Sequence, residues 1–172
     1  MDYFQEIVTI GEIVLQAGKK VNEIYNTDFQ IQMKGIDDPL TNADIEANSI
    51  IIEGLKKSFP LDGILSEEVI DDKKTIRMSR VWIIDPIDAT REFVAKRNEF
   101  CISDGLSVNQ KAVIGIVLNP ATFEFFIGVH GFGVFFQVLN SDFVLDFSKI
   151  KFKTEKQNEG KEKILLVSRS EF

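Results

Sequence analysis

The segment VWIIDPIDAT, from Val81 to Thr90, carries most of the information on the fold and on its chemistry. Its first four residues are typical of a buried strand, and they lead directly into Asp85, with a second aspartate three positions later. Two like charges this close repel each other, and burying either carboxylate alone costs on the order of several kcal/mol. The pattern therefore predicts a cation between the two carboxylates. We interpret Pro86 as the residue that ends the strand and Asp88 as the N-cap of a short helix.

Composition narrows the class of protein. The 172 residues are 44% hydrophobic and 27% charged, an ordinary balance for one globular domain. A net charge of −7 argues against a nucleic-acid polymer as partner, although a local site for a small anion remains compatible with it. One cysteine, Cys101, excludes an internal disulfide and fits a reducing compartment, so we expect a cytoplasmic protein. The longest apolar stretch, residues 125–136, is broken by glycines and is shorter than the about 20 residues that span a bilayer, so we expect no transmembrane segment.

Two helices are predicted before residue 60. Apolar residues recur at three- and four-residue steps from Phe4 to Tyr25, which is the spacing of an amphipathic helix. A second apolar stripe follows Thr41, a plausible N-cap, and continues until Pro60. We expect these two helices to pack against each other.

After Pro60 the pattern changes to short strands separated by turn signals. The predicted strands are Gly63–Leu65, Val81–Ile84, Phe100–Val108, Ala112–Leu118, Glu124–Val129 and Gly133–Leu139. Their close spacing favours antiparallel pairing, with a short helix in DATREFVAKRN between the second and third strands. The predicted fold class is α+β, with a helix pair packed on an antiparallel sheet.

The C-terminal part of the chain has a different composition. Residues 151–163 are rich in lysine and glutamate, which indicates a polar linker or an exposed hairpin. Residues 164–172 begin with the apolar run ILLV and resemble the first strand of a second domain. We therefore assign residues 1–150 to one α+β domain and expect the second domain to be missing from this chain.

Several carboxylates lie close to strand ends. Glu67 and Glu68 end the strand-like run before Asp85, and hard carboxylate oxygens without nearby histidine or cysteine suit Mg²⁺ or Mn²⁺. Asp85 could bridge two such ions about 3.5–4 Å apart. Taken alone, Asp88 is equally typical of a helix cap, and the two glutamates are typical of a solvated loop.

The residues after Asp88 suggest a phosphate site. The backbone amides of Ala89 and Thr90 open the predicted helix and could hold a phosphate group. Asp44 and Thr90 could together orient and deprotonate a water molecule. Each of these acidic and turn motifs is common by itself. Their occurrence together, in this order, is much less expected by chance.

Four motifs resemble those of one family. WIIDPIDAT resembles the DPxDGT signature of the inositol monophosphatase superfamily of Mg²⁺-dependent, lithium-sensitive phosphatases. DPLTNADIEA is similar to its (V/L)TxxD segment, ILSEE to its GEE or SEE segment, and AVIGIVLNPATFEFF to its GVVxxP strand and turn. Through Arg91, Glu92 and Phe93, DATREFVAKRNEF is most similar to the 3′(2′),5′-bisphosphate nucleotidases of CysQ type.

The resemblance implies a fold, an activity and roles for individual residues. The fold would be the first half of an α/β/α/β/α sandwich, and the activity would be Mg²⁺-dependent hydrolysis of a small phosphomonoester, with Mn²⁺ as an alternative metal. Adenosine 3′,5′-bisphosphate is the expected substrate; an inositol or sugar phosphate, or a non-enzymatic binding module, is the alternative. The implied metal ligands are Glu67, Asp85, the Ile87 carbonyl and Asp88, with Glu68 as a further candidate; Asp44 and Thr90 position the attacking water; and the Ala89 and Thr90 amides receive the phosphate.

The chain departs from the family pattern at three points. Ala89 stands where the signature has glycine, which matters if that position needs a positive φ. Asp104 stands where the family has an apolar strand residue, and we expect its side chain to be exposed or hydrogen-bonded. The WDxxA motif of the family's second domain is absent, because the only tryptophan is Trp82. We therefore expect low activity of this chain alone, and either a homo-oligomer or association with a C-terminal half.

Overall fold

The computed structural model describes residues 3–69 and 74–152. In these ranges the helices are α1 (Phe4–Tyr25), α2 (Asn42–Ser58) and α3 (Thr90–Val94). The strands are β1 (Ile31–Gly35), β2 (Asp38–Thr41), β3 (Gly63–Ser66), β4 (Arg80–Asp88), β5 (Cys101–Val108), β6 (Lys111–Asn119), β7 (Glu124–Val129) and β8 (Gly133–Val138). Most of the predicted linker and all of the predicted terminal strand lie outside the described residues. Within the described ranges, no helix combines the length and the apolar character needed to cross a bilayer.

The helix pair forms as the sequence predicts. α1 has the predicted bounds. Its glycines allow close packing: a Cβ atom at Gly11 would clash with Phe147, and one at Gly18 would clash with Leu118. α2 begins after Thr41, whose side-chain oxygen accepts a hydrogen bond from the Ala43 N–H at 3.1 Å. The Asp44 carboxylate accepts in return from the Thr41 N–H at 2.8 Å, which completes a capping box.

The sheet is mixed, and this corrects one prediction. The strand order is β3-β4-β5-β6-β7-β8, and the pairs from β4–β5 to β7–β8 are antiparallel, as predicted. The β3–β4 pair is parallel instead, with Gly63 opposite Val81 and Ser66 opposite Ile84. β3 ends at Ser66 and β4 begins at Arg80, so the intervening sequence is long enough for the chain to return to the start of the neighbouring strand, whereas a hairpin would reverse its direction.

A second correction concerns β4. We predicted that the strand ends at Pro86, but it continues to Asp88. The regular register with β5 is interrupted between Asp85 and Asp88. Proline is tolerated there because an irregular ladder does not require its missing N–H group.

The β1–β2 hairpin was not predicted. All five residues of β1 are exposed, so the short alternation of apolar and polar residues from Ile31 to Lys34 marks no buried face. Asp37 forms the tip with a φ of 54°, a conformation that aspartate adopts more readily than most residues. The hairpin pairs antiparallel and is separate from the six-stranded sheet.

The hydrophobic core lies between the two long helices and one face of the large sheet. Its largest fully buried side chains are Trp82, Phe93, Phe125, Ile7, Ile10, Ile51, Leu55, Ile102, Leu106, Ile116, Leu118 and Ile127. The start of β4 is fixed to this layer by Arg80, which donates hydrogen bonds to Glu6 at 3.0 Å and to Asp62 at 2.9 Å. The same aspartate accepts from the indole N–H of Trp82 at 3.0 Å. These bonds connect the start of β4 to α1 and to the residue that precedes β3.

Asp104 contradicts the prediction that its side chain is exposed or hydrogen-bonded. The residue is 3% exposed, and neither carboxyl oxygen has a hydrogen-bond partner among the described residues. The cause is the alternation of β5, which places Asp104 between Ile84 and Ile116 on the helix-facing side of the sheet. Burial, followed by the charge of Asp85, raises the pKa of Asp104 well above its usual range.

Replacing Asp104 with leucine should stabilise the fold. The change removes a buried polar group without partners, so we expect the free energy of unfolding at neutral pH to rise by about 1–3 kcal/mol. Urea unfolding followed by circular dichroism would measure it. A variant that is less stable than the wild type would show that the carboxyl group has a partner that stabilises it.

Asp104→Asn is the matched variant for the charge alone. Because the folded-state pKa of Asp104 is raised, its contribution to stability is fully present below the unfolded-state carboxyl pKa, about 4, and is lost as the pH rises through the folded-state pKa. The asparagine variant lacks this titration. The two proteins should therefore have similar unfolding free energies at acidic pH and diverge in favour of the asparagine variant toward neutral pH.

Candidate metal and phosphate site

Most of the predicted site residues meet in one cavity at the end of β3 and β4. The cavity has a volume of about 220 Å³. Its lining residues are Asp37, Asp38, Pro39, Glu67, Asp85, Ile87, Asp88, Ala89, Thr90 and Arg91. Asp44 lies behind Thr90, and Glu68 is not among the lining residues. The fold thus brings together segments that are far apart in the sequence.

Parallel pairing of β3 and β4 explains why the acidic groups meet. The carboxyl ends of parallel strands lie at the same edge of a sheet; here Glu67 directly follows β3, and Asp85 and Asp88 lie in the last part of β4. The Glu67 N–H donates to the Ile84 carbonyl at 3.1 Å, which extends the pairing one residue further. Glu67 therefore lies beside Asp85.

Asp85 has an unfavourable electrostatic environment. One of its carboxyl oxygens is buried without a hydrogen-bond partner among the described residues. Burial, followed by the charges of Glu67 and Asp88, raises the pKa of Asp85 to about 7. A bound divalent cation would compensate both the burial and the repulsion.

The donor set fits a hard cation, although the ligands are not already assembled. Carboxylate and carbonyl oxygens are the groups that Mg²⁺ and Mn²⁺ prefer. In residues 3–69 and 74–152, no three Asp, Glu, His or Cys side chains are grouped closely enough to hold a metal ion. Binding would therefore require side chains around Asp85 to move together.

Asp44 and Thr90 form a hydrogen-bonded pair next to the cavity. The Thr90 hydroxyl lies 3.1 Å from the Asp44 carboxylate and 2.9 Å from the Ile87 carbonyl, and its single proton can serve one of them at a time. Asp44 is 1% exposed, and burial raises its pKa against the opposing effect of hydrogen bonds from Thr41. The α2 capping box thus fixes the carboxylate that faces Thr90.

Lys34 is a charged residue beside the cavity that was not predicted from the sequence. Its ammonium group lies 2.9 Å from Glu68, 3.6 Å from Glu67 and 3.8 Å from Asp38. The lysine belongs to the unpredicted β1–β2 hairpin, which is why no sequence signal placed it here. Because the largely buried carboxylate of Glu68 binds Lys34, Glu68 is the partner of the lysine, and Glu67 is the glutamate that lines the cavity.

Ala89 adopts a conformation that favours glycine. Its φ of 66° and ψ of 50° lie in the left-handed region. The prediction that Asp88 caps the helix is wrong, because Ala89 is the N-cap of α3 and Asp88 is the last residue of β4. α3 has only five residues, so the amides of Ala89 and Thr90 belong to a tight turn more than to a helix.

Two other side chains border the turn. Arg91 donates from its Nε to the Asp37 carbonyl at 2.6 Å, which connects α3 to the tip of the β1–β2 hairpin. The Cys101 thiol lies 4.0 Å from the Asp88 carboxylate, and burial followed by that charge raises its pKa to about 12. The thiol therefore stays protonated at neutral pH and is a poor nucleophile.

Comparison with known proteins assigns the chain to a family. A sequence model described as the inositol monophosphatase family matches residues 5–171. The chain belongs to this family. The assignment confirms the resemblance on which the residue roles were predicted.

Relatives in this family include two kinds of phosphatase. Inositol monophosphatase 2 of Solanum lycopersicum is 32% identical over 131 residues, which are 72% of this chain and 49% of that protein. The 3′(2′),5′-bisphosphate nucleotidase CysQ of Salmonella typhimurium is 32% identical over 114 residues, which are 64% of this chain and 46% of that protein. The chain thus spans about half the length of the curated relatives it matches.

Solved structures confirm the predicted fold. The IMPase of Thermotoga maritima has a TM-score of 0.70 and 31% identity, covering 81% of this chain and 53% of that one. An IMPase/NADP phosphatase solved with Mg²⁺ and phosphate has a TM-score of 0.69 and 22% identity, covering 80% and 52%. At this lower identity the similarity concerns the fold alone.

Replacing Ala89 with glycine should stabilise the protein. A left-handed alanine costs about 1–2 kcal/mol that glycine avoids, and the greater freedom of glycine in the unfolded chain offsets part of this gain. We expect the free energy of unfolding to rise by about 1 kcal/mol, measured by chemical denaturation.

Ala95→Gly is the matched control for this prediction. Ala95 is the C-cap of α3 and has a φ of −74°, an ordinary conformation for alanine, so glycine there should lower stability by about 0.5–1 kcal/mol. Equal effects of the two substitutions would show that the left-handed conformation at Ala89 is not strained.

Proposed function

We propose that this chain forms the metal- and phosphate-binding half of a phosphomonoesterase. The observation that carries the proposal is the convergence of Glu67, Asp85 and Asp88 with the Asp44–Thr90 pair at one cavity. Relatives in the inositol monophosphatase family are named as phosphatases and nucleotidases, which supports the same reaction class here.

The proposed cofactor is Mg²⁺, with Mn²⁺ as an alternative. Glu67, Asp85 and Asp88, together with the Ile87 carbonyl, would hold it. When bound, the metal supplies positive charge that offsets the charge developing on the phosphoryl group and on the leaving oxygen. The unpartnered oxygen of Asp85 and its raised pKa support this assignment, because they mark a carboxylate that lacks a counter-charge.

The chain's own residues would orient the reactants. Asp44, fixed by the capping box, and the Thr90 hydroxyl would hold a water molecule and accept its proton. The Ala89 and Thr90 amides would receive the phosphate oxygens. Direct hydrolysis without a phosphoenzyme is favoured, because the Cys101 thiol stays protonated and His130 lies in the turn between β7 and β8.

The residues after the signature also indicate a specific substrate. We favour adenosine 3′,5′-bisphosphate because the residues after the signature, Arg91 to Phe93, resemble those of the CysQ type. An inositol or sugar phosphate is the alternative, since the tomato inositol monophosphatase and Salmonella CysQ are equally identical to this chain, at 32%. We also propose that efficient turnover needs a C-terminal half with the family's WDxxA motif.

Metal binding should depend on Asp85 and not on Glu68. Asp85→Asn removes a cavity carboxylate, so we expect Mg²⁺ or Mn²⁺ binding measured by calorimetry to weaken at least tenfold. Glu68→Gln is the matched control: it removes a neighbouring charge that binds Lys34, and metal affinity should change far less. Equal metal affinity of the wild type and the Asp85→Asn variant would contradict the proposed metal site.

The same titration should be pH-dependent. Because the pKa of Asp85 is raised to about 7, this carboxyl group must lose a proton when a cation binds at acidic pH. Apparent affinity should therefore increase as the pH rises from 6 to 8. The number of protons released should fall over the same range, measured in buffers of different ionisation enthalpy.

Phosphate release tests the reaction itself. The chain should be assayed alone and joined to a family C-terminal half, with adenosine 3′,5′-bisphosphate and inositol 1-phosphate in parallel. We expect the joined protein to be at least a hundredfold faster than the chain alone, and to prefer the bisphosphate. Faster hydrolysis of inositol 1-phosphate would favour the alternative substrate. Metal binding without any hydrolysis would favour the non-enzymatic alternative.

A further inference from the structure

Arg91 is the only basic side chain among the described residues that line the candidate cavity. In residues 3–69 and 74–152, no carboxylate forms an ion pair with it, and its guanidinium donates from Nε to the Asp37 carbonyl at 2.6 Å. The absence of a pair is unexpected in this place, because the cavity is rich in acidic groups. The carboxylates that line it are those of Asp37, Asp38, Glu67, Asp85 and Asp88.

Other basic groups near this end of the fold are already paired. Arg97 donates to the Glu92 carboxylate at 2.8 Å, so the acidic residue next to Arg91 in the sequence has its own partner. The Lys34 ammonium lies 2.9 Å from Glu68 and 3.6 Å from Glu67. Arg91 therefore carries the positive charge that is open to an anion entering the cavity.

The bond from Nε also orients the rest of the guanidinium. Arg91 is exposed, and in the described part of the chain its two terminal amino groups have no protein partner. The guanidinium is planar, so fixing Nε restricts the directions of the remaining N–H groups. Two such groups can donate in parallel to two oxygens of one phosphate.

Neighbouring side chains of the turn point to different parts of the cavity. The Thr90 hydroxyl lies 3.1 Å from the Asp44 carboxylate, on the side of α2. Arg91 instead contacts Asp37 at the tip of the β1–β2 hairpin. The cavity thus has two groups suited to phosphate, the Ala89 and Thr90 amides at the turn and the guanidinium on the hairpin side.

We propose that Arg91 is a specificity-determining residue that binds a second phosphate group of the substrate. The inference rests on the proposed function, in which the Ala89 and Thr90 amides hold the phosphate that is removed. The cavity carboxylates would repel a second phosphate unless a cation received it, and Arg91 is the cation on the hairpin side. A hydroxyl group in the same place would gain less, because it carries no charge. The chain therefore prefers a small bisphosphate to a monophosphate.

Binding of two nucleotides isolates the effect of the second phosphate. Adenosine 3′,5′-bisphosphate carries both phosphates, and adenosine 3′-monophosphate lacks the 5′ group. Calorimetry on the full chain in saturating Mg²⁺ should give about tenfold tighter binding of the bisphosphate. In Arg91→Gln, affinity for the bisphosphate should fall about tenfold, while affinity for the monophosphate changes by less than about twofold. A phosphate assay after each titration would establish that the nucleotide is intact.

Lys111→Gln is the matched charge control. Lys111 is exposed and pairs with Val108, which also pairs with the first residue of β4, so it lies at the end of the sheet away from the cavity. This variant loses the same charge and should keep the preference of the wild type. Arg91→Gln should also keep the wild-type Mg²⁺ affinity and melting temperature, because no proposed metal ligand is changed.

Four results would overturn the proposal. Equal affinity of the wild type for the two nucleotides, or an equal loss of preference in Lys111→Gln, would contradict the role of Arg91 and leave the phosphate site intact. An equal loss of affinity for both nucleotides in Arg91→Gln would show that the arginine acts by holding the hairpin. A wild type that binds Mg²⁺ but neither nucleotide would contradict the proposed phosphate site itself.

Discussion

Repulsion between the carboxylates of Glu67, Asp85 and Asp88 is the constraint around which the rest of the cavity is arranged. Burial and the neighbouring negative charges together raise the pKa of Asp85 to about 7, so the folded chain alone does not supply a counter-charge for this carboxylate. The surrounding backbone nevertheless holds it in place. The Glu67 amide bonds to β4, and the Ser66 hydroxyl bonds to Asn48 of α2 at 2.6 Å. Local hydrogen bonds thus keep together groups whose charges favour separation.

Sequence reasoning recovered those parts of the fold that have strong periodicity. The bounds of α1, the Thr41 cap and the antiparallel strands after residue 100 followed from helical spacing, cap chemistry and turn signals. The β1–β2 hairpin was missed because the alternation from Ile31 to Lys34 is only four residues long and the exposed strand β1 forms no buried apolar face. Parallel pairing of β3 with β4 was missed because strand spacing does not reveal the direction in which the chain returns. Lys34 was missed because it belongs to the unpredicted β1–β2 hairpin.

The cavity residues were more predictable than their local geometry. Paired carboxylates, a cap and a resemblance at the signature identified Asp44, Asp85 and Thr90, because these side chains meet wherever this order of elements folds. The course of the backbone through Ala89 depends on the φ and ψ angles of a single residue. The environment of Asp104 depends on which face of the sheet the even-numbered residues of β5 occupy. Counting the alternation from the buried residues of β5 would have indicated that Asp104 faces the helices.

The parallel β3–β4 pair also has a consequence for the order in which the fold assembles. Strands β5 to β8 are joined by short turns, so each can pair with a neighbour that is already close in the sequence. The cavity instead needs α2, β3 and β4 to meet across the long connection of residues 67–79. Contacts that close larger loops form later and are lost in smaller opening events. We therefore expect the antiparallel meander to be the persistent part of the molecule and the acidic end of the sheet to be its last region to become ordered.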